Sequence, residues 1–241
     1  MAPPQRLSDA RSIRGIVFDL DGTLIDSYEA IGDSLNHALA GLGRGPRDMS
    51  WVREMVGRGL EVLIEEALET ADGAGEAPAP AAIAQGVRLF RARYDEICVG
   101  RTRLMPDVAE TLATLRARGY RMAVATNKPS YFASRLLAAL DVGEHLDAVL
   151  GPDLVAHPKP HPEMLLAALT HLRVGCAEAV YVGDMEIDVQ TARAAGVQVI
   201  VLPTGSRDLR RLGDAGADLV LPSFAALLDT LPGPLLESGT L

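Results

Sequence analysis

Short apolar runs alternate with segments of helical periodicity from residue 104 to residue 228. The runs are continuous, as in strands that are buried on both faces of a sheet. Such strands are predicted at 121–126, 148–150, 179–182, 197–202 and 219–221, and helices at 107–118, 131–140, 163–171, 188–195 and up to 228. Strands that alternate with helices of this length form parallel sheets, so the pattern predicts an α/β fold with a doubly wound, Rossmann-like parallel sheet.

An insert interrupts this pattern after a first strand, which is predicted at 13–19. Helical pieces without an intervening strand follow it at 28–42, 51–56, 60–68 and 83–97. Four successive helices do not belong to an alternating sheet. We therefore expect an all-helical domain at 25–100, inserted into an α/β core domain that comprises 1–24 and 101–241. The lead-in 1–11, the loop 71–81 and the tail after 232 are predicted to be irregular.

Charge and composition exclude several classes of partner. The 241 residues carry a net charge of −9, which argues against nucleic acid or an anionic membrane as the main partner. No apolar run is long enough to span a membrane, and the opening residues lack the apolar region of a signal peptide, so a cytoplasmic protein is expected. Cys98 and Cys176 are too few for a disulfide framework and are expected to be buried thiols. Of the 23 basic residues, all but Lys128 and Lys159 are arginine.

Two carboxylates follow the first strand directly. Asp19 and Asp21 are two positions apart, so in an extended backbone they point the same way, roughly 7 Å apart. Gly22 then lets the chain turn sharply. Like charges this close are costly unless a cation or a shared proton relieves them. The pair therefore indicates a site rather than a turn that happens to be acidic.

Polar residues also follow the later strands. Thr126, Asn127 and Lys128 stand at the end of the strand at 121–126. Lys159 lies in a proline-rich loop before the next helix, and Asp184 and Asp188 follow a further strand. Taken singly, such residues are usually helix caps, solvated loop residues or turns. Because the carboxyl ends of parallel strands share one edge of a sheet, the whole set is predicted to meet in one cleft.

This set has a specific chemistry. Several carboxylates without a Cys or His ligand favour a hard cation, Mg²⁺ above others. A hydroxyl, an amide and an ammonium beside it make a phosphate cradle. One Asp carboxylate can act as a covalent nucleophile through an aspartyl-phosphate, and its neighbour can protonate the leaving oxygen and then deprotonate the attacking water. The residues therefore predict Mg²⁺-dependent hydrolysis of a small phosphate ester.

Four short motifs resemble, in order, those of the haloacid dehalogenase superfamily. They are Asp19-Leu20-Asp21-Gly22-Thr23, then Thr126, then Lys159, and then Gly183-Asp184 with Asp188. The resemblance spans nearly the whole chain, and the helical insert resembles the helical cap that closes over the active site in that superfamily.

The resemblance implies a role for each motif residue. It implies Asp19 as the nucleophile and Asp21 as the acid and base, with Thr126 and Lys159 on the phosphoryl group. It also implies Mg²⁺ held by Asp19, the Asp21 carbonyl and Asp184, with Asp188 positioning this end of the site. The candidate metal-site residues are thus Asp19, Asp21, Asp184 and Asp188, and the candidate phosphate- or substrate-binding residues are Gly22, Arg58, Thr126, Asn127 and Lys159.

Residues also distinguish branches of the superfamily. Asp21 argues against a dehalogenase, because expelling a halide needs no proton. A phosphonatase is excluded because it uses a cap lysine to form a Schiff base, and the predicted cap has no lysine. A β-phosphoglucomutase usually has a Ser-rich second motif, whereas the segments 56–60, 125–129 and 158–162 resemble the phosphoglycolate phosphatase branch. Met185 departs from that branch, in which Ser or Thr is expected.

Substrate choice is expected to reside in the cap. Arg58 could present a bidentate fork to a substrate carboxylate, or it could be a solvent-facing arginine in a helix break. His157 and His161 flank Lys159 and are expected to shape the loop. Phosphoglycolate is the substrate expected from the resemblance, and a sugar phosphate, a nucleotide or pyrophosphate is the alternative. The choice between monomer and homodimer is left open.

Other classes of protein fit the residues less well. A phosphomutase remains an alternative. A phospho-receiver domain also joins Asp, Thr and Lys to Mg²⁺, but its acidic pair is separate from the phospho-accepting Asp and no cap interrupts its chain. A dinucleotide-binding module is disfavoured because Gly57-Arg58-Gly59 follows a helix and lacks the third glycine. A non-catalytic regulator is expected to have lost one of the four motifs, and all four are present.

Overall fold

Strands and helices alternate through most of the chain in the computed structural model, which describes residues 7, 10, 12–72, 77–205, 207 and 209–234. The described strands are β1 Gly15–Phe18, β2 Ile25–Asp26, β3 Arg103–Leu104, β4 Arg121–Ala125, β5 Ala148–Leu150, β6 Ala179–Gly183, β7 Gln198–Val201 and β8 Leu219–Val220. The described helices are α1 Tyr28–Gly41, α2 Met49–Met55, α3 Leu60–Asp72, α4 Pro80–Arg101, α5 Val108–Ala117, α6 Ser130–Ala139, α7 Glu163–Leu172, α8 Glu186–Ala195, α9 Leu209–Asp214 and α10 Leu227–Thr230.

Six parallel strands form one sheet in the order β5-β4-β1-β6-β7-β8, which confirms the predicted doubly wound α/β fold. β1 lies at the centre, and its last residue, Phe18, is in register with Val124 of β4 and Val182 of β6. The chain runs outward from β1 first on one side and then on the other. The carboxyl ends of β1, β4 and β6 therefore meet at the switch point where such sheets bind ligands.

Helices cover both faces of this sheet. Ile16 and Phe18 of β1 pack into one apolar layer, whereas Val17 packs into the other. The first layer includes residues of α5, α6 and α10, and the second includes residues of α7 and α8. Burial on both faces explains why the strands read as continuous apolar runs.

The helices α1 to α4 lie between β2 and β3. Gly86 of α4 lies so close to α3 that a Cβ there would be 2.7 Å from Ile64 Cγ2. β2 and β3 form a separate antiparallel pair. The two segments that connect the core to the inserted helices therefore run side by side. Each of these strands combines one apolar and one charged residue, so neither forms a continuous apolar run, and they were not predicted. The proposed domain limits at 25–100 remain a prediction.

Several boundaries differ from those predicted. α4 begins at residue 80 rather than 83, because proline is favourable in the first turn of a helix. α9 was not predicted. Residues 1–6, 8, 9, 11, 73–76 and 235–241, in the lead-in, loop and tail predicted to be irregular, lie outside the described residues.

The cysteines and helices test two further expectations. Cys98 is buried as predicted, but Cys176 is half-buried, because it opens a short turn at the surface ahead of β6, so the prediction for it was wrong. Among the described residues, no helix combines the length and the hydropathy needed to cross a membrane. The cytoplasmic location and the choice between monomer and homodimer stay predictions.

Candidate active site

The Lys159 ammonium lies at the centre of a buried polar cluster. It donates hydrogen bonds to Asp19 Oδ1 and Asp188 Oδ1, both at 2.8 Å, and to Tyr181 Oη at 3.1 Å. Burial opposes the charged form, but Asp188 and Asp19 outweigh it and raise the pKa of Lys159 well above its ordinary value. One charged lysine therefore links the end of β1 to the start of α8.

Asp188 is held by the first turn of α8. Its Oδ2 accepts the backbone N–H groups of Asp184 at 3.1 Å and Met185 at 3.0 Å, while its Oδ1 accepts from Lys159. Gly183 leaves the space for this arrangement, because a Cβ there would lie 2.3 Å from Asp188 Oδ2. Both carboxylate oxygens thus bind protein groups, which fits the positioning role of Asp188. A direct bond from Asp188 to a metal stays a prediction.

A second buried ion pair joins Asp21 to Lys128. Lys128 Nζ lies 2.9 and 2.8 Å from the two carboxylate oxygens, and the side chains are 6% and 11% exposed for Lys128 and Asp21. Ser27 Oγ also donates to Asp21 Oδ1. Burial opposes the charged form of Lys128, but Asp21 outweighs it, so the pKa of the ammonium is raised. Sequence reasoning placed Lys128 at this edge of the sheet but did not predict its pairing with Asp21, because spacing does not encode where a long side chain points.

Asp184 has one carboxylate oxygen without a protein partner. Its Oδ1 accepts from Thr23 Oγ1 at 2.8 Å, whereas its Oδ2 is buried and has no hydrogen-bond partner among the described residues. Oxygen atoms of Asp19, Asp184 and Asp188 all lie within 4.8 Å of one another. Burial, then Asp188 and Asp19, raises the pKa of Asp184 well above its ordinary value. Burial also raises the pKa of Asp19 to about 6, with Lys159 opposing the shift.

These observations fit a divalent cation. The carboxylates are crowded and short of positive charge, and their oxygens are hard ligands of the kind that Mg²⁺ takes. Two glycines keep the space beside Asp184 clear of side chains. A Cβ would lie 2.5 Å from Asp184 Oδ2 at Gly22, where φ is +87°, and 1.7 Å from it at Gly205. Gly205 was not predicted, because it follows β7 in a segment without a recognised motif.

Thr126 and Asn127 connect the end of β4 to two loops. Thr126 Oγ1 accepts the backbone N–H of Lys128 at 3.2 Å. The Asn127 side chain donates to the carbonyls of Gly57 at 3.0 Å and Lys159 at 3.1 Å, and accepts the Lys159 N–H at 3.0 Å. The amide thus ties the Lys159 loop to the helical insert. Contact of Thr126, Asn127 or Gly22 with a phosphoryl group stays a prediction.

A cavity of about 60 Å³ extends from these residues toward the helical insert. Asp19, Asp21, Thr126, Asn127 and Lys128 line its inner side. Its outer side is lined mainly by apolar residues, which include Ile31, Val56, Leu60, Leu63, Phe90 and Phe132. The insert therefore covers the site with an apolar surface.

Arg58 lies outside this cavity. Its guanidinium is paired with Glu66 at 2.7 Å, its side chain is 52% exposed, and it lines an outer groove with Arg91. His157 and His161 are exposed beside Glu163, which accepts from His157 Nδ1 at 2.9 Å. Binding of substrate by Arg58 stays a prediction, and the two histidines occupy the surface of the Lys159 loop.

Met185 replaces the Ser or Thr that was expected after Asp184. It is buried at the start of α8, and its sulfur reaches the helical insert, because a Cβ at Gly57 would lie 2.5 Å from Met185 Sδ. The methionine therefore contributes an apolar contact to the insert where a hydroxyl would have contributed a hydrogen-bonding group.

Comparison with known proteins agrees with this geometry. The family model for haloacid dehalogenase-like hydrolases matches residues 16–202. A phosphoglycolate phosphatase of Yersinia pseudotuberculosis serotype I is 35% identical over 227 residues, which are 94% of this chain and 97% of the relative. The crystal structure of a predicted phosphoglycolate phosphatase from Haemophilus somnus 129pt has a TM-score of 0.84 and 29% identity, over 90% of this chain and 97% of that one. The crystal structure of CbbY from Rhodobacter sphaeroides in complex with phosphate has a TM-score of 0.76 and 30% sequence identity. The match covers 91% of this chain and 99% of that one. The chain therefore belongs to the haloacid dehalogenase-like hydrolase family.

Proposed function

We propose that this protein is a Mg²⁺-dependent phosphatase that hydrolyses 2-phosphoglycolate through an aspartyl-phosphate on Asp19. The observation that carries the proposal is the buried cluster in which Lys159 holds Asp19 and Asp188, with Asp184 beside them and Asp21 lining the same cavity. Membership of the family supports the reaction class, and the phosphoglycolate phosphatases among its relatives support the substrate.

Asp19 is the nucleophile in this mechanism. Its hydrogen bond from Lys159 fixes the carboxylate, so that the other oxygen can attack phosphorus in line with the leaving group. Lys159 and Thr126 bind the phosphoryl oxygens, and the ammonium stabilises the charge that develops on them. The ester bond breaks as the Asp19–phosphorus bond forms.

Asp21 is the general acid and general base of this mechanism. In its acid form it protonates the leaving oxygen, and as a carboxylate it then takes a proton from the water that cleaves the aspartyl-phosphate. Ser27 and Lys128 hold its carboxylate in one orientation. Asp19 thereby returns to its free form, with glycolate and phosphate released.

Asp19, Asp184 and the Asp21 carbonyl would hold the Mg²⁺. When bound, the cation would offset the negative charge of the phosphoryl group and of the carboxylates that surround it. The partnerless Asp184 Oδ2 is the protein atom that most needs such a partner.

The cavity supports a small substrate. The helical insert covers its polar inner side with Val56, Leu60 and Phe90. The glycolate portion adds only a methylene and a carboxylate to the ester oxygen. A hexose or a nucleoside is several times larger than this glycolate portion.

The test is a substrate panel with the purified protein, with and without Mg²⁺. The panel contains 2-phosphoglycolate, sugar phosphates, nucleotides, pyrophosphate and an aryl phosphate. We expect Mg²⁺-dependent phosphate release with the highest kcat/KM on 2-phosphoglycolate, and loss of that release with EDTA. No hydrolysis of any ester would contradict the reaction class, while a higher kcat/KM on another ester would contradict the substrate.

A further inference from the structure

The cavity wall that faces Asp21 carries a single positive charge. Of the described residues that line this cavity, Lys128 is the only Lys, Arg or His. Its side chain is 6% exposed, so its charge faces the interior of the protein rather than solvent. A buried ammonium is costly unless anions surround it, and Asp21 is the anion that it contacts.

Tyr94 of α4 brings an unpaired donor to the same place. Its ring centroid lies 4.8 Å from Lys128 Nζ, and the residue is 1% exposed and lines the cavity. Its Oη is buried beside the Lys128 ammonium, which can only donate, so the hydroxyl hydrogen has no acceptor within the described part of the chain. A buried hydroxyl without a partner is destabilising, so its presence beside a cavity indicates a group that binds there.

The geometry points to a carboxylate-binding subsite formed by Lys128 and Tyr94. This inference rests on the proposed function, and it assigns the charged end of the substrate to these two residues. In 2-phosphoglycolate the carboxylate is separated from the ester oxygen by one methylene. In the proposed mechanism Asp21 serves that ester oxygen, and Lys128 contacts Asp21, so the ammonium is near the end of the substrate that carries the carboxylate.

Arg58, which the sequence suggested for this task, is less well placed. Its guanidinium is paired with Glu66 and borders the outer groove, whereas Lys128 and Tyr94 border the cavity that contains Asp19 and Asp21. A carboxylate close to a phosphoryl group on Asp19 would meet Lys128 first.

The experiment compares 2-phosphoglycolate with phosphoglycolamide, its uncharged amide analogue of nearly the same shape. The measured quantity is the ratio of their kcat/KM values, called here the carboxylate preference. It is measured for the wild type, Lys128→Gln, Lys128→Arg and Tyr94→Phe. The control is Arg88→Gln, which removes an exposed cation of α4 that does not line the cavity.

The wild type is expected to favour 2-phosphoglycolate strongly. Lys128→Gln should lower this carboxylate preference by about 10- to 100-fold, the effect of losing a hydrogen bond to a charged group. Tyr94→Phe should lower it by about 2- to 10-fold, Lys128→Arg should retain most of it, and Arg88→Gln should leave it unchanged.

Equal losses on both substrates in Lys128→Gln and Tyr94→Phe would overturn the subsite, because these residues would then only support Asp21. If Lys128→Gln fails to fold, Lys128→Arg and Tyr94→Phe decide the question alone. If the wild type prefers 2-phosphoglycolate and the variants show the same carboxylate preference, the subsite is contradicted. The proposed function is not affected by that result. A wild type without any carboxylate preference contradicts the subsite alone, because the proposed function is tested by the substrate panel.

Discussion

At the scale of single residues, the site depends on matching carboxylates with ammonium groups. Lys159 holds Asp19 and Asp188, and Lys128 holds Asp21, so three of the four clustered carboxylates have a lysine partner. Asp184 has none. Without a cation, burial beside Asp19 and Asp188 favours the protonated form of Asp184. Asp184 is thus the carboxyl group of the cluster that depends on a metal, rather than on a lysine, for its charge balance.

Replacement of Asp19 by Asn should abolish turnover without unfolding the protein. The amide is nearly isosteric and removes a charge that is crowded by Asp188, but it cannot accept a phosphoryl group. We expect kcat to fall by at least about 10³-fold. Steady-state kinetics and thermal denaturation would be compared with Asp229→Asn, a substitution at an exposed residue of α10. Turnover near the wild-type rate would exclude Asp19 as the nucleophile.

The residues of the cluster were predictable only in part. Because the strand ends of a parallel sheet share an edge, sequence alone predicted a cluster of Asp19, Thr126, Lys159, Asp184 and Asp188. The contacts between their side chains were not predictable, because they depend on rotamers and on loops far apart in the chain. Thr23 donates a hydrogen bond to Asp184, and Lys128 donates one to Asp21. In each pair the two residues are more than a hundred positions apart in the chain.

At the scale of elements, ion pairs connect the first and last helices of the insert. Asp33 of α1 accepts hydrogen bonds from Arg93 Nε at 2.8 Å and from Arg101 Nη1 at 2.9 Å, both on α4. The hydrogen bond from Arg93 is the largest cause that lowers the pKa of Asp33 below its ordinary value. The three side chains are 28% to 38% exposed, so solvent weakens the pairs.

Asp33→Asn should therefore lower the free energy of unfolding at neutral pH by up to about 1 kcal/mol. Because the folded-state pKa lies below the unfolded value of 3.8, the carboxylate stabilises the fold above that value. This stabilisation is lost as the pH falls through the folded-state pKa. Urea denaturation of wild type and variant from pH 7 to pH 3 would show their difference shrinking. A difference independent of pH would contradict the ionic origin.

The helices of the insert could be predicted from the sequence, but the strand pair that connects the insert to the core could not. Apolar spacing located α1 to α4, with errors at their ends, because the pattern of an amphipathic helix fades where the chain leaves the core. The antiparallel pair of β2 and β3 depends on residues 25 and 104 coming together, which no local pattern records.

At the scale of the whole molecule, the site is negative within a protein that is negative overall. The net charge is −9, and four clustered carboxylates face two ammonium groups. With all four carboxylates ionised, the excess of two negative charges equals the charge of one divalent cation. An anionic substrate should therefore bind well only after the metal has neutralised the site.

Removal of the metal should consequently affect stability as well as activity. At a free Mg²⁺ concentration about 100 times its Kd, the folded state should gain about 2.7 kcal/mol, or roughly 5–10 °C in Tm for a chain of this length. Thermal shift assays with Mg²⁺ and with EDTA would measure this gain. In Asp184→Asn the metal-free protein should be at least as stable as the wild type, and Mg²⁺ should no longer raise its Tm. An unchanged Mg²⁺ response in this variant would exclude Asp184 as a ligand.

The placement of the lysines has a consequence for protein chemistry. The chain has only two, and both are buried in the site, so its surface offers arginine guanidinium groups but no lysine ε-amine. Reagents that acylate amines would find no accessible lysine on the folded protein. Amine coupling of dyes, biotin or solid supports should therefore leave the Lys159 and Lys128 ion pairs undisturbed.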